Sequence, residues 1–292
     1  MKRVRRFALA GVVAWVLLSL LAGEILIQPG RWNPPQTLSL PGVHTEQLEL
    51  RIDGLRIEGW ALTPPAESGP PRGTLLLLHG LGEARRVIDH AHALAQGWRV
   101  LSVDTRAHGR SEGWSAGFGW PERAEAHALL QLARERWPHD PCVAWGRSQG
   151  AAAFAYALHE ERQAGEPPLL DGLVLESCYA DIDTAYSNRL ELILGSTAWR
   201  PVMMLTQGWV TWRAGLDRER MRPVELLPAD IPLFLARGAE DPLVSDAEWA
   251  RFREAAPAAE HMLVPDFAHR PLSESPEFRL RVTAFLERAA AR

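Results

Sequence analysis

Two stretches near residue 50 alternate between apolar and polar side chains: Gln47-Leu48-Glu49-Leu50-Arg51-Ile52 and Leu55-Arg56-Ile57-Glu58-Gly59-Trp60. Asp53-Gly54 separates them, a pair suited to a tight turn, so the pattern predicts an antiparallel hairpin. Beyond it the pattern changes. Residues 74–78 are a continuous apolar run, as for a strand buried on both faces, and further strands are predicted at 98–103, 142–145, 173–176, 233–236 and 262–264. Helices are predicted between and after them, at 84–96, 121–137, 149–163 and 276–291. Residues 179–228 break the alternation and hold only helical pattern, near 182–194 and 201–213. The fold class is therefore α/β: a mostly parallel sheet with an N-terminal antiparallel hairpin, helices on both faces, and a helical cap inserted at about 179–228.

The first residues have a different character. Lys2, Arg3, Arg5 and Arg6 precede an apolar run from Phe7 to Ile27 whose one charge is Glu24. A helix of that length reaches roughly 30 Å, enough for a bilayer core. Residues 1–28 read as a transmembrane signal-anchor, with the N-terminus cytoplasmic and the bulk of the chain extracytoplasmic by the positive-inside rule. The alternative is a secretory signal peptide cut near Ala22 or Gly23, although Leu20 and Leu21 stand where a cleavage site favours small residues. Residues 29–45 read as a linker, and 46–292 as the domain that carries the chemistry.

Composition narrows that chemistry. The 292 residues are 47% hydrophobic and 23% charged, ordinary for a globular protein. A formal net charge of -4 gives no reason to expect a nucleic-acid partner. Lys2 is the only lysine. A phosphate-binding P-loop, a Schiff base and a Ser-Lys dyad are thereby excluded, since arginine stays protonated and cannot serve as the base. Cys142 and Cys178 fall at opposite ends of neighbouring strands, too far apart for a disulfide, and are expected as free, buried thiols. No H-E-x-x-H, Cys pair or carboxylate cluster predicts a metal, and no cofactor is expected.

Gly146-Arg147-Ser148-Gln149-Gly150 is a G-x-S-x-G, a weak signal alone but placed here between a predicted strand and an Ala-rich helix. That context predicts a strained turn that lifts a serine hydroxyl above the sheet edge. A serine needs a base to become a nucleophile. Of ten histidines, His269 follows the last strand and so reaches the C-terminal edge of the sheet, where open α/β folds bind ligands. His261 belongs to the wrong edge, and His90, His92, His127 and His159 are expected on helix surfaces. Asp241, after the preceding strand, is the candidate acid behind His269, with Glu240 the alternative. The oxyanion donors should be the backbone N–H groups of Gln149 and of Leu81, the latter in the loop His79-Gly80-Leu81-Gly82-Glu83. The ordinary alternative for Ser148 is a helix N-cap. Asp104 and His108 are expected to brace their loop rather than act as an acid-base pair.

From Leu75 onward the chain resembles the α/β-hydrolase superfamily, near its serine-aminopeptidase and monoacylglycerol-lipase-like branch. The resemblance rests on His79-Gly80, Asp104-Thr105-Arg106-Ala107-His108-Gly109-Arg110-Ser111, the Ser148 elbow, Gly238-Ala239-Glu240-Asp241-Pro242-Leu243-Val244 and His269, in that order. Ala107 departs from it, since relatives usually carry glycine there. The resemblance implies a cap that matches residues 179–228, and a Ser148-Asp241-His269 triad.

These readings lead to a serine hydrolase that cleaves a carboxylic ester of a small, lipid-derived acyl substrate through an acyl-enzyme. An amide, peptide or thioester is the alternative bond. A non-catalytic membrane-tethered binding protein is the alternative class. Trp199, Val202, Met203, Met204, Leu205, Trp209, Val210 and Trp212 are expected to pack the cap onto the body, or else to face acyl chains or a membrane. No pattern speaks to oligomeric state.

Overall fold

The computed structural model describes residues 2–35, 38–165, 169–195 and 200–291. The hairpin forms where the alternation predicts it. β1 (His44–Ile52) and β2 (Leu55–Thr63) pair antiparallel around Asp53 and Gly54, whose φ values of 50° and 79° are the left-handed pair a two-residue turn uses. β3 (Thr74–Leu78), β4 (Arg99–Val103), β5 (Cys142–Arg147), β6 (Gly172–Glu176), β7 (Leu233–Gly238) and β8 (Glu260–Val264) complete one eight-stranded sheet. Its order is β1-β2-β4-β3-β5-β6-β7-β8, parallel from β4 to β8, with β2 antiparallel to β4.

The apolar runs are continuous because both faces are covered. Leu75 and Leu77 of β3 and Val143 and Trp145 of β5 pack on one side, with Phe278, Val282 and Phe285 of α8 (Pro276–Ala290). Leu76, Leu78 and Ala144 face the other side, toward α3 (Arg123–Arg136) and the Ala-rich α4 (Gln149–Gln163). Successive side chains of a strand alternate faces, so both layers need apolar residues. Cys142 and Cys178 are free and buried, as expected.

Several expectations need correction. β1 begins at His44, inside the stretch read as linker. The rest of that stretch is tied to the body: Arg31 donates to the carbonyls of Ser111 (2.8 Å) and Gly113 (2.7 Å). α2 spans Val87–Ala95 and starts later than residue 84, because the Arg85 amide donates to Asp104 Oδ1 (3.0 Å) instead of entering a helix. An unpredicted helix, α7 (Asp246–Ala255), fills the β7–β8 connection. His90 is buried, not on the surface, and bonds Ser102 Oγ at 2.6 Å.

Two cap helices lie between β6 and β7 as predicted, α5 (Ile182–Leu194) and α6 (Arg200–Ala214). Their packing differs from expectation. α6 lies along the N-terminal helix α1 (Lys2–Ile27). Trp15 Nε1 donates to the Pro201 carbonyl (2.5 Å), Thr206 Oγ1 to the Ser19 carbonyl (2.9 Å) and Trp209 Nε1 to Glu24 Oε1 (2.7 Å). Val202 and Val210 are buried, while Met204 and Trp212 face outward. Trp199 falls outside the described residues.

Candidate active site

The elbow is built by its glycines. A Cβ on Gly146 would come within 2.5 Å of the Ala151 nitrogen, and one on Gly150 within 2.5 Å of the Leu78 carbonyl oxygen. Their absence lets the turn close under β3. Ser148 itself stands at φ 50° and ψ -111°, a strained conformation for a side chain with a Cβ. Its amide donates to the Glu176 carbonyl (2.7 Å), which holds the turn against β6.

Ser148 does not cap α4 with its side chain. Its Oγ lies 3.1 Å from His269 Nε2. His269 Nδ1 donates to Asp241 Oδ2 at 2.8 Å, with Oδ1 at 3.0 Å. Asp241 Oδ1 also accepts from the amides of Leu243 (2.8 Å) and Val244 (3.1 Å). Burial acts to raise the Asp241 carboxyl, but the hydrogen bond and charge of His269 and the Leu243 amide outweigh it and hold the group below its usual range. Glu240, the alternative acid, is exposed. All three residues follow the C-terminal ends of parallel strands. Gly238 makes their meeting possible, since a Cβ there would run into the Phe267 carbonyl and push the His269 loop away from the Asp241 loop. His261 sits in β8 and bonds the Ala256 carbonyl, away from the site.

The loop between β3 and α2 carries Leu81, and two neutral histidines hold it. His79 Nε2 accepts from the Thr105 amide (3.0 Å), so its Nδ1–H donates to the Gly80 carbonyl (2.8 Å). His108 Nε2 accepts from the Gly82 amide (3.0 Å) and its Nδ1–H donates to the Arg106 carbonyl (2.8 Å). Burial lowers the pKa of both. Asp104 takes Arg85 and the Arg110 amide, not His108, so both residues brace the loop as expected. Ala107 sits at φ 63°, left-handed backbone that glycine enters more easily. Among the described residues the amides of Leu81 and Gln149 have no acceptor, and both residues line the same cleft as Ser148 and His269.

That cleft is narrow, with a cavity volume of about 20 Å³. A family model described as serine aminopeptidase, S33, matches residues 69–216, half of the chain. The chain belongs to that family. The matched segment holds Ser148 and both cap helices; Asp241 and His269 lie beyond it and are tied to the site by the geometry above. An esterase from Pyrococcus furiosus aligns with a TM-score of 0.67 at 22% identity, over 89% of this chain and 98% of that one. A bacterial brefeldin A esterase, homologous to human hormone-sensitive lipase, aligns at 0.64 and 18%, over 97% and 86%. An esterase/lipase from an uncultured bacterium aligns at 0.62 and 17%, over 95% and 99%. At such identities the likeness is one of fold. No curated protein matches in sequence.

Sequence reasoning missed part of the cleft wall in this hydrolase-family member. Phe118, Ser177, Ala185 and Arg189 line it. Phe118 (φ 55°) and Ser177 (φ 48°) occupy left-handed backbone that no glycine marks in the sequence. Ala185 and Arg189 are four apart on α5, one helix face, but nothing local says that this face looks onto Ser148.

Proposed function

We propose that the protein is a serine esterase. The observation that carries this reading is the continuous hydrogen-bonded line from Ser148 Oγ through His269 to Asp241. Ser148 Oγ attacks the ester carbonyl and His269 Nε2 takes its proton. The tetrahedral oxyanion is received by the N–H groups of Leu81 and Gln149, the latter at the positive end of α4. The alkoxide leaves with the proton from His269, and an acyl-Ser148 ester remains. Water, deprotonated by His269, then attacks it and restores the serine. Asp241 orients the imidazole and stabilises its charged form.

The fold likeness to esterases supports an ester as the scissile bond. The family description favours a second reading, removal of an N-terminal amino acid. A free α-ammonium would want a carboxylate in the cleft. Asp241 is already engaged by His269 and two amides, and the charged cap residue in the wall is Arg189. Charge therefore favours the ester. The proposal also keeps α1 as an uncleaved tether, with the N-terminus cytoplasmic. The basic cluster before Phe7 supports that orientation. The contacts of Trp15 and Ser19 with α6 support retention, since cleavage near Ala22 would remove both.

A fluorophosphonate probe, which reacts with activated serines, tests the enzyme reading. Wild type should label and Ser148→Ala should not; equal labelling of both removes the proposal. Rates on matched ester and amide substrates then assign the bond. Faster amide cleavage would replace the ester reading with the peptidase one.

A further inference from the structure

Arg189 has an unusual position for a charged side chain. It is half-buried, and it lines the cleft of Ser148 and His269 beside Phe118, Leu243 and Val244. It forms no hydrogen bond or ion pair with any described residue. Other arginines are paired: Arg147, next to Ser148, with Glu83, and Arg218 and Arg251 with Asp183 and Asp181 at the start of α5. The acids nearest Arg189 in effect are Asp241 and Glu83. Asp241 is engaged by His269, and both oxygens of Glu83 are engaged by Arg147. Arg147 adds a second positive charge that acts on Arg189.

An arginine stays protonated in such a place, and a guanidinium with no counter-ion in a partly apolar cleft is costly. Its planar fork of donors matches an oxyanion such as a carboxylate or phosphate. We propose that Arg189 is a specificity-determining residue that selects esters bearing a second, anionic group, a carboxylate or a phosphate, close to the scissile bond. This rests on the esterase reading above. Arg189 and Ser148 line the same narrow cleft, so the anion is carried on a short chain.

The test compares kcat/KM within isosteric pairs. On the acyl side, monoethyl glutarate is set against ethyl 5-methylhexanoate, and ethyl 4-phosphonobutyrate against ethyl 5,5-dimethylhexanoate. On the alcohol side, 4-acetoxybutyrate is set against 4-methylpentyl acetate. In wild type at least one anionic ester should be favoured over its neutral isostere by about ten- to hundredfold. The arm that responds distinguishes carboxylate from phosphate. Arg189→Met should bring that ratio close to unity, chiefly through KM for the anionic ester, and Arg189→Lys should restore part of it. The proposal is overturned if wild type prefers the neutral ester in every pair, or if Arg189→Met keeps the wild-type ratio. Should Arg189→Met not fold, the wild-type ratios and Arg189→Lys still decide. Fluorophosphonate labelling separates the two levels. A wild type that does not label sinks the esterase reading, whereas one that labels but ignores the anion sinks only this inference.

Discussion

At Asp241 one carboxylate has two tasks. One oxygen takes the amides of Leu243 and Val244 and fixes the loop, and the pair together grips His269 Nδ1. Asp241→Asn separates the tasks. An amide oxygen can still accept from the two loop amides, so the fold should survive. An amide also fits the opposite imidazole tautomer, which places a proton on Nε2 and removes the base from Ser148. The expected result is a kcat lower by roughly 10³- to 10⁴-fold, with KM little changed and an unaltered melting temperature. Steady-state kinetics and a thermal melt check it; a loss below about tenfold would mean that the imidazole is oriented by something else. Glu240, the alternative read from the sequence, cannot fill the role from its exposed position.

Elements recorded by local pattern were legible in the sequence, and those set by contacts were not. The buried strands announce themselves because each needs apolar residues on both faces, and the hairpin because Asp53-Gly54 fits its turn. α7 did carry a signal, the Ser245/Glu248 capping box, but its apolar positions are too few to stand out. His90 is helical in sequence as on any surface helix; its burial depends on α2 leaning on β4 through Ser102. That Ser148, Asp241 and His269 meet was readable from strand order, whereas the Arg189 wall depends on how the cap settles. The buried histidine has a measurable consequence. Burial pushes His90 down to about 4, against 6.5 in an unfolded chain. As pH falls below 6.5 the unfolded chain takes up a proton that the folded one refuses, so this contribution is full above 6.5 and is lost toward pH 4. Glu122 and Glu176, raised by burial to about 7, act with the opposite sign between 4.5 and 7, so the wild-type profile is a sum. His90→Gln isolates one part of it. The stability difference between wild type and variant should shrink by about 3 kcal/mol from pH 7 to pH 4. Denaturant titrations at several pH values measure this, and a constant difference would mean that His90 titrates normally.

For the molecule as a whole, the tether proposed for α1 raises the question of how the body and an apolar helix would share a membrane. α1 has the length and composition to cross one, but from Trp15 onward one side of it is covered by α6. Residues 4–14 are free of the body, and about 11 residues of helix reach only ~17 Å, roughly half of a bilayer core. The remaining depth is available if α1 and α6 enter together. Leu17, Leu18, Leu21 and Ile25 on α1, and Met204 and Trp212 on α6, are exposed and apolar. Thr206 pairs with Ser19, and Trp209 and Arg213 with Glu24, so these polar groups find partners within the helix pair, as a lipid environment favours. Gly23 sets their separation, since a Cβ there would lie 2.7 Å from the Trp209 ring. The cap over Ser148 would then rest at the bilayer surface, within reach of amphiphilic esters. Because both native thiols are buried, an added cysteine reports depth cleanly. In opened membranes, Met204→Cys should resist a membrane-impermeant maleimide as Leu9→Cys does, while Leu280→Cys on the exposed face of α8 should label fully. Adding Gly23→Leu should part the helices and make Met204→Cys reactive while the protein stays in the membrane fraction. If Met204→Cys labels like Leu280→Cys without that change, α6 lies in water and α1 alone, tilted away from the body, must hold the protein.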